Sequence, residues 1–281
     1  MRLYPAARRG VAAIVFAAGL AVSAPLAAQS SGSSGGTFIG DVPYVPTPQD
    51  VVESMLDLAK VGAGDYVIDL GSGDGRLVVT AAKRGAQGFG VDLDPKRIAE
   101  SLENAKKAGV SDRAQFFQRD LFETDFSPAT VLTMYLQPEI NLKLRPKVLG
   151  LKPGTRVVSH DFDMGDDWVP DERIRMLSKL TNYESNAYLW IVPANAAGRW
   201  QADGAAAIQF DIAQSFQKIA LQGRSAEGAL AVSDARLSGD RITFKAGTRA
   251  YEGRIDGDSI TGVMRGPAGD SSWSARRVGQ K

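Results

Sequence analysis

The chain has 281 residues, 44% of them hydrophobic and 23% charged, enough for one large domain or an ordinary domain with a small companion. Its 33 basic residues against 32 acidic ones leave a formal charge of +1. That balance gives neither the footprint of a nucleic-acid binder nor a polybasic membrane anchor. Cysteine is absent, which excludes disulfides, thiolate metal sites, a lipid-bearing cysteine and cysteine nucleophiles.

Arg2, Arg8 and Arg9 precede an alanine-rich apolar stretch from about Val11 to Ala24, and small residues lead to Leu26-Ala27-Ala28 before Gln29. This is the order of a secretory signal peptide, predicted over 1–28, and it implies a periplasmic or membrane-attached protein. The stretch is short for a spanning helix, and the alternatives are an uncleaved anchor or a misplaced start codon. Ser30 to Gly36 has the composition of a flexible linker, assigned to 29–40.

From 41 to 195 helical and strand-like segments alternate, the pattern of an α/β domain with a mostly parallel sheet. Thr47 reads as a helix N-cap ahead of Pro48, and Val51, Val52, Met55, Leu56 and Ala59 share one face of the helix that follows. Strands are predicted at Tyr66–Leu70, Gly88–Val91, Ala114–Phe117, Thr130–Tyr135 and Arg156–Ser159, with helices from Gly75 to Arg84 and Pro95 to Lys107 between them. Tyr188–Val192 reads as a late antiparallel strand. The composition shifts after Pro193, and 196–281 shows period-two runs such as Ile208–Ile212 and Arg241–Phe244 between Gly/Asp turns. About five or six short strands there suggest an antiparallel barrel or sandwich, with Trp200 and Trp273 in its core.

The chemistry concentrates in Asp69-Leu70-Gly71-Ser72-Gly73-Asp74-Gly75, a glycine turn after a hydrophobic strand. Such a turn lets the backbone approach a ligand closely. A dinucleotide site wants a third glycine where Arg76 stands. Asp69 and Asp74 would repel phosphates but suit a sulfonium and an ammonium, the two cations of S-adenosylmethionine (SAM). Asp92, at the end of the next strand, is placed to accept from ribose hydroxyls, with Leu93 beside it. Asp120, after the third strand, is placed to accept from the adenine amino group, and Leu121 or Phe122 to cover the ring. Asp94 before Pro95 reads as a helix N-cap.

With these motifs, 44–194 resembles a class I SAM-dependent methyltransferase. It is most similar to the small protein-lysine methyltransferases that modify mitochondrial carriers and the ATP synthase c-ring protein, and to their bacterial relatives. Tyr44-Val45-Pro46-Thr47-Pro48 and Tyr135-Leu136-Gln137-Pro138-Glu139 carry the resemblance, with Ser159-His160-Asp161-Phe162-Asp163 and Trp168 less closely. The resemblance implies a Rossmann-like seven-stranded sheet and SAM as cofactor. It also implies N-methylation of a protein amine, with the β-rich segment outside the shared region.

Strand-end placement puts Tyr135, Pro138 and Glu139 at the methyl-transfer edge and Tyr44 over the cofactor's methionine end. Tyr135, Tyr44 and His160, the only histidine, are the catalytic candidates, and Pro138, Glu139 and Trp168 the substrate-binding ones. Asp161, Asp163, Asp166 and Asp167 lack any known metal-ligand spacing and read as a solvated loop. No metal is expected, nor a nucleic-acid partner. The acceptor is expected to be a protein, with envelope or membrane proteins as possible associates. Two alternatives stay open: an exported SAM-binding protein without turnover, and a methyltransferase for a small molecule or lipid.

Overall fold

Tyr66–Leu70, five residues with four of them buried, has no solvent face and forms β1, an inner strand of a mostly parallel sheet. The computed structural model describes residues 44–203 and 208–279, so the leader and linker expected over 1–40 lie outside the described residues. Around β1 the chain places α1 (Gln49–Leu58), α2 (Arg76–Lys83), β2 (Gln87–Asp92), α3 (Pro95–Lys107), β3 (Ala114–Gln118), β4 (Val131–Met134), α4 (Pro138–Leu149) and β5 (Arg156–His160). Then come β6 (Glu172–Leu177) and β7 (Glu184–Ile191).

The seven-stranded sheet has the order β3-β2-β1-β4-β5-β7-β6. β1 pairs in parallel with both β2 and β4, while β7 lies antiparallel between β5 and β6. The strand order reverses beside β1, so a crevice opens at the carboxyl ends of β1 and β4, where ligands of such sheets bind. α1 buries Val51, Val52, Met55 and Leu56, and Ala59 follows, as its periodicity predicts. Asp94 caps α3 by accepting from the Lys96 amide. Thr47 does not cap α1. The N-cap position is Pro48 without a side-chain bond, and the Thr47 hydroxyl points instead to His160.

The β-rich segment holds β8 (Gly198–Ala202), β9 (Gln209–Ser215), β10 (Lys218–Ser225), β11 (Gly228–Leu230), β12 (Val232–Ser238), β13 (Arg241–Ala246), β14 (Arg249–Asp256), β15 (Ser259–Gly266) and β16 (Gly269–Val278). That makes nine strands, against the five or six expected. β8 bonds both β9 and β16, and the end strands β11 and β12 are separated only by Ala231, so the meander curls into a nearly closed antiparallel barrel. Its interior is filled by Trp200, Phe210, Phe244, Tyr251 and Trp273, with Phe244 stacked on Tyr251 at 4.8 Å.

Two turns fasten the barrel to the first sheet. Gly239, in the β12–β13 turn, accepts from the Ala194 amide and lies so close to Gly154 that a Cβ there would stand 2.9 Å from the Gly154 Cα. Phe216, in the β9–β10 turn, packs onto Trp168. Among the described residues no helix is long and apolar enough to cross a membrane.

Candidate active site

The turn after β1 folds as the glycines allow. Gly71, Gly73 and Gly75 have φ of +78, +53 and +78°, a region side chains rarely enter. Gly75 opens α2, and a Cβ on it would stand 2.6 Å from both Phe116 and Ser101. Ser72 is buried with its Oγ unpartnered. The backbone thus forms a cradle at a helix start, open to a ligand and holding an unused hydroxyl.

Asp69 is buried at the end of β1 and accepts from Thr133 Oγ1 at 2.7 Å. Burial raises its pKa to about 7. The Thr133 bond opposes that rise, and the charges of Asp92 and Asp74 add to it. Asp92 accepts from the Gly73 amide through Oδ2 and from the Asp94 amide through Oδ1, joining β2 to the turn. Leu93 is exposed beside it, and Leu121 is half-buried after β3.

Asp74 and Asp120 also have protein partners. Asp74 is bound by Arg76 through two side-chain bonds, so its carboxylate already has a cation and its contribution to the cradle is its backbone. Asp120 is exposed, with its Oδ1 taken by the Phe122 amide. Arg76 was legible only as a missing glycine. Besides holding Asp74 it donates to the Thr47 carbonyl at 2.6 Å, tying the turn to the 44–48 segment. On that segment, the Tyr44 ring lies where a Gly73 Cβ would stand, and the Arg97 guanidinium covers the ring at 4.0 Å.

At the ends of β4 and β5, the Tyr135 ring sits 4.0 Å from the His160 imidazole and 6.0 Å from Phe162, stacked on the latter. Burial first, then the Asp161 charge, raises the Tyr135 pKa, so the phenol keeps its proton. His160 is 2% exposed. Its Nδ1 lies 3.1 Å from Thr47 Oγ1, and its Nε2 has no hydrogen bond, with Asp161 Oδ2 3.4 Å away. Burial lowers its pKa against the pull of Asp161, so the ring is neutral at neutral pH. Thr47→Val should strand a buried ring nitrogen and cost about 1–2 kcal/mol in urea unfolding. An unchanged midpoint would show that the hydroxyl is not its partner.

Pro138 and Glu139 open α4 on the exposed rim, where a carboxylate suits a helix N-terminus. Pro138, Leu142, Arg145, Asp163 and Asp166 line an open depression of about 380 Å³. Trp168 is not on this rim. Fully buried, it packs with Trp190 and Phe216 in the core, which corrects the substrate-binding role expected for it. Asn141 was missed: it is fully buried on α4 and donates to the Asp163 carbonyl at 3.0 Å. The described residues contain no group of acidic or histidine side chains arranged to hold a metal.

A parallel sheet with a switch point, a positive-φ glycine cradle and a buried carboxylate at the end of β1 define a class I SAM-dependent methyltransferase. The ANTKMT methyltransferase domain model matches residues 69–172. A protein-lysine N-methyltransferase of Saccharolobus islandicus is 45% identical over 159 residues, covering 56% of this chain and 97% of that protein. The chain belongs to this protein-lysine N-methyltransferase family. The adenine nucleotide translocase lysine N-methyltransferase of Mus musculus is 32% identical over 131 residues, but the chain spans only 56% of its length. A Salinibacter ruber structure described as an RNA methyltransferase, in complex with S-adenosylhomocysteine (SAH), is 48% identical with a TM-score of 0.50, covering 54% of this chain and 95% of that one. SAM is therefore the cofactor.

Proposed function

We propose that this enzyme methylates the ε-amino group of lysine in a protein acceptor. The observation that carries the reading is the 45% identity across nearly the whole length of a protein-lysine N-methyltransferase. The RNA acceptor named for the Salinibacter ruber protein fits less well here. Glu139, Asp161, Asp163 and Asp166 lie on the segments that follow β4 and β5, against the cation Arg145, which is paired with Asp167, so the edge is net acidic and favours an ammonium over phosphates.

Bound SAM supplies a methyl group on a sulfonium, open to displacement in line by a neutral amine. The chain's part is positional. The Tyr135, His160 and Phe162 rings offer an apolar wall that disfavours the charged amine, and the acidic rim or water takes its proton. Incubation of the purified chain with labelled SAM, cell protein and cell RNA is expected to label protein, with the mass shift on lysine. Label confined to RNA would overturn the reading.

We further propose that the enzyme acts outside the cytoplasm on envelope or membrane-associated proteins. The basic, apolar, small-residue order of 1–28 supports this. A reporter active only after export should be switched on by residues 1–40 and silenced by deleting Val11–Ala24. Activity that survives the deletion would refute export through this segment.

A further inference from the structure

We propose that the barrel has a defined task in the methyl-transfer site: its Phe216 is a positioning residue for the acceptor-side loop 161–168. The inference rests on the ends of β4 and β5 being the acceptor edge, but its test does not require an acceptor.

The first half of the loop is anchored from the sheet and α4: Asp161 exchanges hydrogen bonds with Asn186, and Asn141 donates to the Phe162 and Asp163 carbonyls. Its start carries Asp161 and Phe162 beside His160 and Tyr135, so where it lies sets the shape of the acceptor edge. Further along, Arg145 donates to the Met164 carbonyl at 2.8 Å and to Asp167. At its end Trp168 is fully buried, and its carbonyl accepts from Trp190 Nε1 at 2.8 Å.

Both of the last two anchors rest on one barrel side chain. Phe216 stacks on Trp168 with centroids 5.5 Å apart and planes 9° from parallel. The same ring stands 5.6 Å from the Arg145 guanidinium. Its neighbour Gln217 donates to the Val169 carbonyl at 2.6 Å. Among the described residues, Phe216 is the one hydrophobic barrel side chain packed against the core of the first sheet.

Phe216 also has φ +52°, a conformation that bulky side chains rarely adopt. Such a backbone persists where the surroundings over-determine it: Gln214 Nε2 donates to the Phe216 carbonyl at 2.7 Å, the β9–β10 pairing closes the turn, and the ring lies on Trp168. Neither the turn nor the barrel belongs to the shared catalytic core, since the family model ends at residue 172. The barrel thus adds to that core a brace under the loop that meets the acceptor.

Hydrogen exchange on the full chain tests this. Phe216→Gly removes the ring and leaves a residue that favours positive φ, so the turn itself is not harmed. Amides of 161–168 should exchange about tenfold faster while 66–75 stay protected. Phe216→Tyr should keep the wild-type rates, and SAH affinity by calorimetry should not move in either variant. Unchanged protection of 161–168, an even loss across the sheet, or failure of tyrosine to restore protection would overturn the proposal. Should Phe216→Gly not fold, Gln217→Ala keeps the ring and removes the Gln217 side-chain bonds to the Val169 carbonyl and Asp171. It should speed exchange in the same segment about threefold, and no change there would count against the brace.

Discussion

A Gly73→Ala enzyme is expected to bind SAM about a hundredfold more weakly than wild type in calorimetric titration. Two costs add. Alanine at φ +53° is strained by roughly 1–2 kcal/mol, because its Cβ crowds the following carbonyl. The same Cβ would overlap the Tyr44 ring, which cannot withdraw freely. Arg97 covers that ring at 4.0 Å, and Arg76 holds the Thr47 carbonyl three residues on. If the backbone rotates to relieve the strain, the Gly73 amide leaves Asp92 Oδ2, now 2.9 Å away, and the carboxylate placed for the ribose loses its orientation. Adding Tyr44→Ala should recover part of the affinity by removing the overlap while the strain remains. Wild-type affinity in Gly73→Ala alone would mean that the turn does not approach the cofactor closely.

The parts of the fold that could be read from sequence are those where one physical rule dominates. β1 is a mostly apolar run buried on both faces, and the glycine turn has φ values that follow directly from its composition. β6 was hidden because an exposed edge strand with Glu172, Arg173 and Arg175 has a charged, loop-like composition. α4 was hidden because Pro146 interrupts its pattern and its apolar residues do not form a clean stripe.

The site divides in the same way. Asp69 and Asp92 follow from strand ends, but Thr47 meets His160 across 113 positions, and no local pattern encodes that pairing. Trp168 misled for a related reason. An aromatic next to a site motif suits a binding surface and a core equally well, and what decided for the core was Phe216, a residue from another sheet.

Asp69→Asn should abolish tight SAM binding and yet make the free protein more stable above neutral pH. The wild-type carboxyl titrates at about 7 because it is buried, with only the Thr133 hydroxyl opposing the shift and Asp92 and Asp74 adding to it. Since its pKa is higher folded than unfolded, its stabilising contribution is complete below the ordinary carboxylate range and is lost as pH rises through about 7. A shift of that size corresponds to roughly 4 kcal/mol lost between acid and neutral pH, and asparagine, which never ionises, escapes it.

Binding has the opposite sign. A cationic cofactor favours the ionised carboxylate, so below about pH 7 it must first displace a proton, and wild-type affinity should rise about tenfold per pH unit up to that point. Above that point the affinity levels off, and it falls where the cofactor's own amine loses its charge, at about pH 8. Denaturant melts and calorimetry across this range should therefore show wild-type stability falling while wild-type affinity climbs. Asp69→Asn should remove both slopes together. Parallel slopes in the two proteins would place the titration elsewhere, whereas loss of both would identify Asp69 as a group whose strain in the empty site is relieved by the cofactor's charge.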